Sequence, residues 1–156
     1  MGVEIEKKFL LKNEDWKTQC TKGVKIKQGY LNSHTERTVR VRLSDGKGKI
    51  TIKGKTENIT RKEFEYQIPY KEALSLIQLC ETPIIEKTRF KVKLGNLTWE
   101  IDEFGGENVG LIIAEVELKS ENQILNIPSW IGQEVSKDSK YYNSSLLTYP
   151  YKNWPK

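Results

Sequence analysis

Apolar and polar residues alternate along most of this chain. Successive side chains of a β-strand point to opposite faces, so a period of two predicts half-buried strands. The alternation is clearest at the start, where Val3, Ile5 and Phe9 stand between charged residues. The pattern predicts eight strands, over residues 2–11, 24–32, 36–43, 48–54, 61–69, 86–94, 97–104 and 111–119.

Turn-forming residues separate several of these strands. Residues 44–48 and 95–96 contain the glycine, aspartate and asparagine that hairpin turns need, and 104–108 predicts a further turn. Helical patterns are short by comparison. One amphipathic helix is expected over 71–79, and three shorter ones over 14–18, just after Pro128 and over 138–147, the last capped by Asp138 or Ser139.

Charges are segregated by strand. The first strand places Glu4, Glu6 and Lys8 on one face, and the eighth strand repeats an acidic pair with Glu115 and Glu117. Two carboxylates at i and i+2 repel each other, and a metal ion between them is the usual compensation. The third and sixth strands repeat basic residues instead, namely Arg40, Arg42, Lys87, Arg89 and Lys91.

Eight mostly antiparallel strands with one ionic face each are compatible with two mainly β architectures. In a sandwich the ionic faces would simply be solvated. In a closed β-barrel they would point inward, and the helices and tail would cover the apolar outer faces. Segregated like charges favour the barrel, because they cost energy unless a ligand offsets them. A polyanion bound together with a divalent cation would offset both sets.

Composition narrows the classes of function. The 156 residues fit one domain, 1–156, and carry 26 basic and 21 acidic side chains, a net charge of +5 that favours anionic partners. These mixed charges argue against a nucleic-acid footprint. One histidine and two cysteines leave no cluster for zinc and no disulfide framework, which indicates reduced thiols in a cytoplasmic protein. We find no signal peptide or membrane-spanning apolar run, so we expect no membrane association.

An ordered set of motifs runs along nearly the whole chain. It opens with Glu-x-Glu-x-Lys at residues 4–8 and continues at 28–31, 39–42, 51–54, 61–66, 87–90, 99–102, 114–118 and 142–143. This set resembles the CYTH superfamily, the triphosphate tunnel metalloenzymes, and is most similar to its small bacterial members. The resemblance implies an eight-stranded antiparallel tunnel with a charged lumen. It also implies an inorganic triphosphatase that needs Mg²⁺ or Mn²⁺.

The resemblance assigns roles to individual residues. Glu6, Glu115 and Glu117 would hold the main metal. Glu4, together with Glu63, Glu65 or Asp102, would position a second metal or the attacking water. Phosphate oxygens would be bound by basic side chains, namely Lys8, Arg40, Arg42, Lys53, Arg61, Lys87 and Arg89.

Four residues are the catalytic candidates, namely Glu4, Tyr30, Lys53 and Lys87. Tyr30 beside Lys53 is a candidate proton-transfer pair, because crowded cations favour a neutral lysine and an ionised phenol. The expected reaction converts inorganic tripolyphosphate to pyrophosphate and phosphate.

Other functions remain open at this point. A class IV type adenylate cyclase or a thiamine triphosphatase would use the same tunnel. A non-catalytic module binding polyphosphate or nucleic acid is a further alternative, although carboxylate pairs would repel nucleic acid. The aromatic tail, with Tyr149, Tyr151 and Trp154, could cap one end of the tunnel or form the contact of a homodimer.

Overall fold

An antiparallel sheet that closes on itself forms the body of this protein. The computed structural model describes residues 2–156. Its strands are β1 (Gly2–Leu11), β2 (Val24–Asn32), β3 (Arg37–Ser44), β4 (Lys47–Gly54), β5 (Thr60–Ile68), β6 (Glu81–Leu94), β7 (Leu97–Phe104), β8 (Ile112–Glu117) and β9 (Ile131–Glu134). The spatial order is β5-β4-β3-β2-β6-β7-β8-β1-β9, and pairing of β1 with β5 closes the barrel. The prediction of a closed eight-stranded antiparallel barrel is confirmed.

Helices are few and short. The α-helix α1 spans Tyr70–Ile77, close to its predicted position. The other helical segments are 3₁₀ turns, at Asp15–Thr18, Gly106–Asn108, Ser139–Tyr141, Asn143–Leu147 and Tyr151–Asn153. Within residues 2–156 no helix is long and apolar enough to cross a membrane.

Hairpin turns lie where the sequence predicts them. Between β3 and β4, Asp45 and Gly46 have φ angles of 53° and 71°, and Gly95 after β6 has a φ of 60°. Such left-handed residues match the twist of the flanking strands. The sixth strand starts at Glu81, five residues before the predicted boundary of 86, because its first pairing, with Tyr30, lies beyond a register shift. A proline at position 83 is tolerated next to such an irregularity, although it hides the strand in the sequence.

Two helix predictions near the C-terminus need correction. The segment after Pro128 forms the strand β9, which pairs with β1 through Phe9↔Glu134 and Leu11↔Ile131. Pairing with an open edge of β1 decides this conformation, and a four-residue stretch carries no local signal of it. The helix expected over 138–147 is two 3₁₀ turns separated by an extended Tyr142, with the Asp138 side chain capping the first turn as predicted.

Apolar residues on the outer face of the barrel are covered in two places. The helix α1 packs on β3 and β4 by placing the fully buried Ala73 against Val41 and Leu43. Its approach requires glycine in β4, since a Cβ on Gly48 would lie 2.5 Å from the Cβ of Ala73. A second cluster surrounds Trp99 on β7 and contains Phe9, Trp16, Ile101 and Trp130.

The C-terminal tail closes one end of the barrel and does not cover an outer face. At this end the inward-facing residues change from charged to apolar, as at Tyr30, Ile85 and Ile113, and they pack against Leu146 and Leu147. Trp154 completes this cluster, with Tyr141, Tyr149 and Tyr151 around its ring. The segment from Tyr141 to Trp154, here called the tail plug, therefore caps the lumen. Capping of the tunnel is one of the two alternatives that the sequence leaves open for the aromatic tail.

The outer cluster around Trp99 should dominate stability. Ile101 is fully buried, so Ile101→Ala should reduce the free energy of unfolding by about 2–5 kcal/mol, as removal of buried methylene groups does elsewhere. Ile124 is 89% exposed, so the same substitution there should change it by less than about 0.5 kcal/mol. Urea unfolding followed by tryptophan fluorescence measures both, and equal losses would contradict this packing.

Candidate active site

The interior of the barrel is a charged cavity of about 660 Å³. Inward-facing residues of every barrel strand contribute to its lining, with Glu100 as the residue from β7. Asp102 of β7 is buried behind the lining and does not reach the cavity surface. All of the other site residues expected from the sequence line it, namely Glu4, Glu6, Lys8, Tyr30, Arg40, Arg42, Lys53, Arg61, Glu63, Glu65, Lys87, Arg89, Glu115 and Glu117. The charged faces of the strands therefore point inward, and the solvated sandwich is excluded.

Basic side chains form one wall of the cavity. Arg40 on β3 donates to the Thr51 hydroxyl at 3.1 Å, while its buried Nε has no partner among the described residues. Burial, together with the neighbouring Arg40 and Arg89, lowers the pKa of Arg42 to about 9. This wall holds more positive charge than its neighbours neutralise, which suits an anion.

Asp102 forms ion pairs with both Lys87 and Arg89. This carboxylate is 1% exposed, lies 2.7 Å from the Lys87 Nζ and accepts two hydrogen bonds from Arg89 at 2.7 and 2.8 Å. Burial opposes its ionisation, but Lys87 and Arg89 outweigh burial and keep the pKa of Asp102 below its usual range. Burial also lowers the pKa of Lys87 to about 7. The positive charges of Arg89 and Arg42 lower this pKa further, whereas the negative charge of Asp102 raises it.

Acidic side chains of β1 and β8 form the opposite wall. Adjacent-strand pairing sets Glu6 opposite Glu117, and Lys8 opposite Glu115. The Glu115 carboxylate lies 3.2 Å from Lys8 Nζ and 3.4 Å from Arg89 Nη2. Burial opposes ionisation of Glu115, but Lys8, Lys87 and Arg89 hold its pKa well below the usual range.

Glu4 joins this wall to the β4–β5 side of the barrel. It lies 3.0 Å from Lys53 Nζ and 3.1 Å from Arg61 Nε. Burial disfavours its charge, yet Lys53 and Arg61 lower the pKa of Glu4 to about 2. Lys53 also lies 3.3 Å from Glu63. A connected network of ion pairs thus surrounds this end of the cavity.

The remaining expected residues lie nearer the rim or lack the expected contact. Glu65 lies 3.3 Å from Lys49 and 3.8 Å from Arg40, and is 36% exposed. Tyr30 and Lys53 line the same cavity, but among residues 2–156 no hydrogen bond joins them, since Lys53 bonds to Glu4. Their role as a proton-transfer pair stays a prediction.

The donor set suits a hard divalent cation. The Glu6 side chain has no hydrogen bond or ion pair within residues 2–156, and burial, Glu115 and Glu4 raise its pKa to about 8. A carboxylate in this position gains most from a cation, and oxygen ligands suit Mg²⁺ or Mn²⁺. Over the same residues no three acidic, histidine or cysteine side chains converge on one point, because Glu4 and Glu115 turn their oxygens toward basic partners.

Two neutral residues of the site lie in the motifs at 28–31 and 142–143, but the sequence alone assigns them no role. Gln28 is fully buried between β3 and β6, and Asn143 reaches the cavity from the tail plug. Gln28 accepts two hydrogen bonds from Arg42 and donates one to Asn143. The available signal for Gln28 is its parity with Tyr30 on β2, which places both on the inner face. No pattern in the sequence around Asn143 predicts its contacts with Gln28 and Lys87.

Known proteins resemble this chain along nearly its full length. The CYTH domain family matches residues 2–147. A curated protein named inorganic triphosphatase from Acetivibrio thermocellus is 48% identical and is covered over 99% of each chain. Another of that name, from Nitrosomonas europaea, is 34% identical over 92% of this chain and 96% of its own length.

Solved structures show the same fold. The crystal structure of an inorganic triphosphatase superposes with a TM-score of 0.66 at 32% identity, over 92% of this chain and 93% of that one. A putative adenylate cyclase from Vibrio parahaemolyticus has a TM-score of 0.56 at 15% identity, over 77% and 78% of the two chains. At that identity the second likeness concerns the fold alone.

The ion pairs of Glu4 predict a specific acid sensitivity. Because its folded pKa is lowered to about 2 from 4.5, the stabilisation by Glu4 is present above pH 4.5 and is lost as the pH falls toward 2. Urea unfolding should show the stability difference between wild type and Glu4→Gln shrinking by about 2 kcal/mol from pH 6 to pH 3. Glu72→Gln on the exposed face of α1 is the control, and parallel pH profiles for wild type and Glu4→Gln would contradict the pairing.

Proposed function

The chain belongs to the CYTH domain family, and we propose that it hydrolyses inorganic tripolyphosphate to pyrophosphate and phosphate with Mg²⁺ or Mn²⁺. The observation that carries this proposal is a closed lumen in which a basic wall around Arg42 faces a carboxylate wall around Glu6. Such a lumen suits a small polyanion bound with a divalent cation. Both curated relatives bear the corresponding name.

The basic wall would bind the substrate. Phosphoryl transfer depends on alignment and charge neutralisation more than on covalent chemistry. Arginine binds phosphate oxygens through two parallel hydrogen bonds, which fixes both position and rotation. Arg40 and Arg42 on adjacent turns of the β3 pleat, with Lys87 and Arg89 on β6, would hold successive phosphate groups along the lumen.

The acidic wall would bind the metal ion. Glu6, Glu115 and Glu117 would hold the main ion, and Glu4 with Glu63 or Glu65 would hold a second ion or the attacking water. When bound, the ion would neutralise charge on the phosphate oxygens. Asp102 would instead orient Lys87 and Arg89, since all of its side-chain hydrogen bonds and ion pairs in the described structure are with these two residues.

Lys87 is the side chain best placed to move a proton. Its pKa of about 7 allows both protonation states near neutral pH. A protonated Nζ would donate to the oxygen of the leaving phosphate, while Asp102 keeps the ammonium group in place at 2.7 Å. Glu4, hydrogen-bonded to Lys53, would orient the attacking water, and Tyr30 with Lys53 forms the second proton-handling candidate.

Cytoplasmic location is part of the same proposal. Cys20 and Cys80 are both free thiols in the structure, as a reducing compartment would keep them. Tripolyphosphate and divalent cations would be the partners that the lumen itself selects.

A substrate panel tests the reaction. Purified protein with Mg²⁺ or Mn²⁺ should release pyrophosphate and phosphate from tripolyphosphate, measured by ion chromatography, and chelation of the metal should stop turnover. Thiamine triphosphate and ATP should be poorer substrates, because the lumen is lined mostly by charged side chains, which suit phosphate groups better than an organic group. Formation of cyclic AMP from ATP would replace the hydrolase with the cyclase alternative, and binding without turnover would favour the non-catalytic module.

Carboxylates of the acidic wall should be required for metal-dependent turnover. Glu115→Gln and Glu117→Gln keep the shape of each side chain but remove its charge, so kcat/KM should fall at least about hundredfold, the scale of losing several kcal/mol of electrostatic stabilisation. Calorimetry with Mn²⁺ should show weaker binding by both variants. Glu36→Gln in the exposed β2–β3 loop is the matched control. Unaltered turnover by Glu115→Gln would refute the metal site.

A further inference from the structure

Gln28 is a neutral side chain enclosed by the charged lumen wall. It lies in the middle of β2, opposite Arg42 on β3, and has no exposed surface. Its Oε1 accepts hydrogen bonds from Arg42 Nε at 2.9 Å and from Arg42 Nη2 at 2.8 Å. One amide oxygen therefore fixes the plane of the guanidinium group by two contacts.

Asn143 extends this contact to a second basic residue. Gln28 Nε2 donates to Asn143 Oδ1 at 3.2 Å, and Lys87 Nζ donates to the same oxygen at 3.3 Å. The orientation of both amides is determined by their partners. Arginine offers donors only, so Gln28 must turn its oxygen to Arg42 and its NH₂ group to Asn143. The chain Arg42–Gln28–Asn143–Lys87 thus links β3, β2, the tail plug and β6.

Arg42 differs in its ion pairing from the other basic residues that we assign to phosphate binding. Lys8, Lys53, Arg61, Lys87 and Arg89 each lie within 3.4 Å of a carboxylate oxygen, and Arg40 lies 3.8 Å from one. Among residues 2–156, Arg42 has no such ion pair. A glutamate in place of Gln28 would fit the same space and would neutralise the guanidinium group. The amide orients Arg42 and leaves its positive charge uncompensated.

We propose that Gln28 and Asn143 are positioning residues, which fix Arg42 and Lys87 for a phosphate group while keeping the charge of Arg42 available to it. The identity of that anion as a polyphosphate rests on the proposed function. Since Asn143 belongs to the tail plug, closure of the barrel end also sets the geometry of the phosphate-binding wall.

Gln28→Glu separates positioning from structural support. The added carboxylate should form an ion pair with Arg42, so the melting temperature should stay the same or rise. Affinity for tripolyphosphate, measured by calorimetry in the presence of a chelator, should fall at least about tenfold, the scale of a hydrogen bond to a charged group. In the metal-dependent assay KM should rise by a similar factor, with a smaller change in kcat.

Several outcomes would overturn the proposal. Affinity within about twofold of wild type for Gln28→Glu would show that the neutral amide is not needed. A parallel loss of melting temperature and affinity would indicate a structural role. If Gln28→Glu does not fold, Asn143→Ala decides, because Asn143 is only partly buried. It should bind tripolyphosphate at least about threefold more weakly with a melting temperature within about 2 °C of wild type, and unchanged binding would overturn the proposal.

The control and the wild-type protein separate this inference from the proposed reaction. Gln78→Glu makes the same change of charge at an exposed position after α1, and should leave binding unaltered. If the wild type binds tripolyphosphate but does not hydrolyse it, the proposed reaction is refuted. The affinities of the variants then still decide the positioning roles. Hydrolysis by wild type with unaffected variants would refute the positioning roles alone. Absence of tripolyphosphate binding by wild type would overturn both.

Discussion

Mutual pairing of buried opposite charges is the constraint on which this structure depends. A closed barrel of this size must place its inner side chains away from bulk water, where an isolated charge costs several kcal/mol. Strand register meets that cost by setting Lys8 opposite Glu115, and by bringing Asp102 beneath Arg89. Because these pairs cross from strand to strand, the fold and the chemistry of the lumen cannot be separated.

The same pairing explains why the site is ready for two ligands of opposite charge. Most lumen charges already have partners, which keeps the interior stable. Among the described residues, the side chains of Arg42 on the basic wall and of Glu6 and Glu117 on the acidic wall have no ion pair, and their pKa values shift in the directions that report uncompensated charge. In the function that we propose, a polyanion would pair with the basic side chain and a divalent cation with the acidic ones. Lys8 and Glu115, which we assign to phosphate and metal, pair with each other in this structure, so binding would also exchange internal ion pairs for contacts with ligands.

Alternation with a period of two carries most of what the sequence reveals. It predicts the barrel strands and the inward direction of residues such as Glu4 and Arg40, because parity alone decides which face a side chain occupies. It does not predict β9, whose conformation depends on an edge of β1, distant in the sequence. It places Gln28 on the inner face but does not predict its contact with Asn143, which depends on the tail plug entering the barrel. Contacts between distant segments, unlike strand parity, leave no periodic trace in the sequence.

The most direct test of the account is a crystal structure of the protein with tripolyphosphate bound in the absence of divalent cations. We expect the phosphate chain to lie inside the lumen against Arg42. The Lys8–Glu115 pair, 3.2 Å apart in the present structure, should open as Lys8 turns to a phosphate oxygen. A phosphate chain bound outside the barrel, or one inside it that makes no contact with Arg42 and leaves that pair closed, would contradict the exchange of internal ion pairs for ligand contacts.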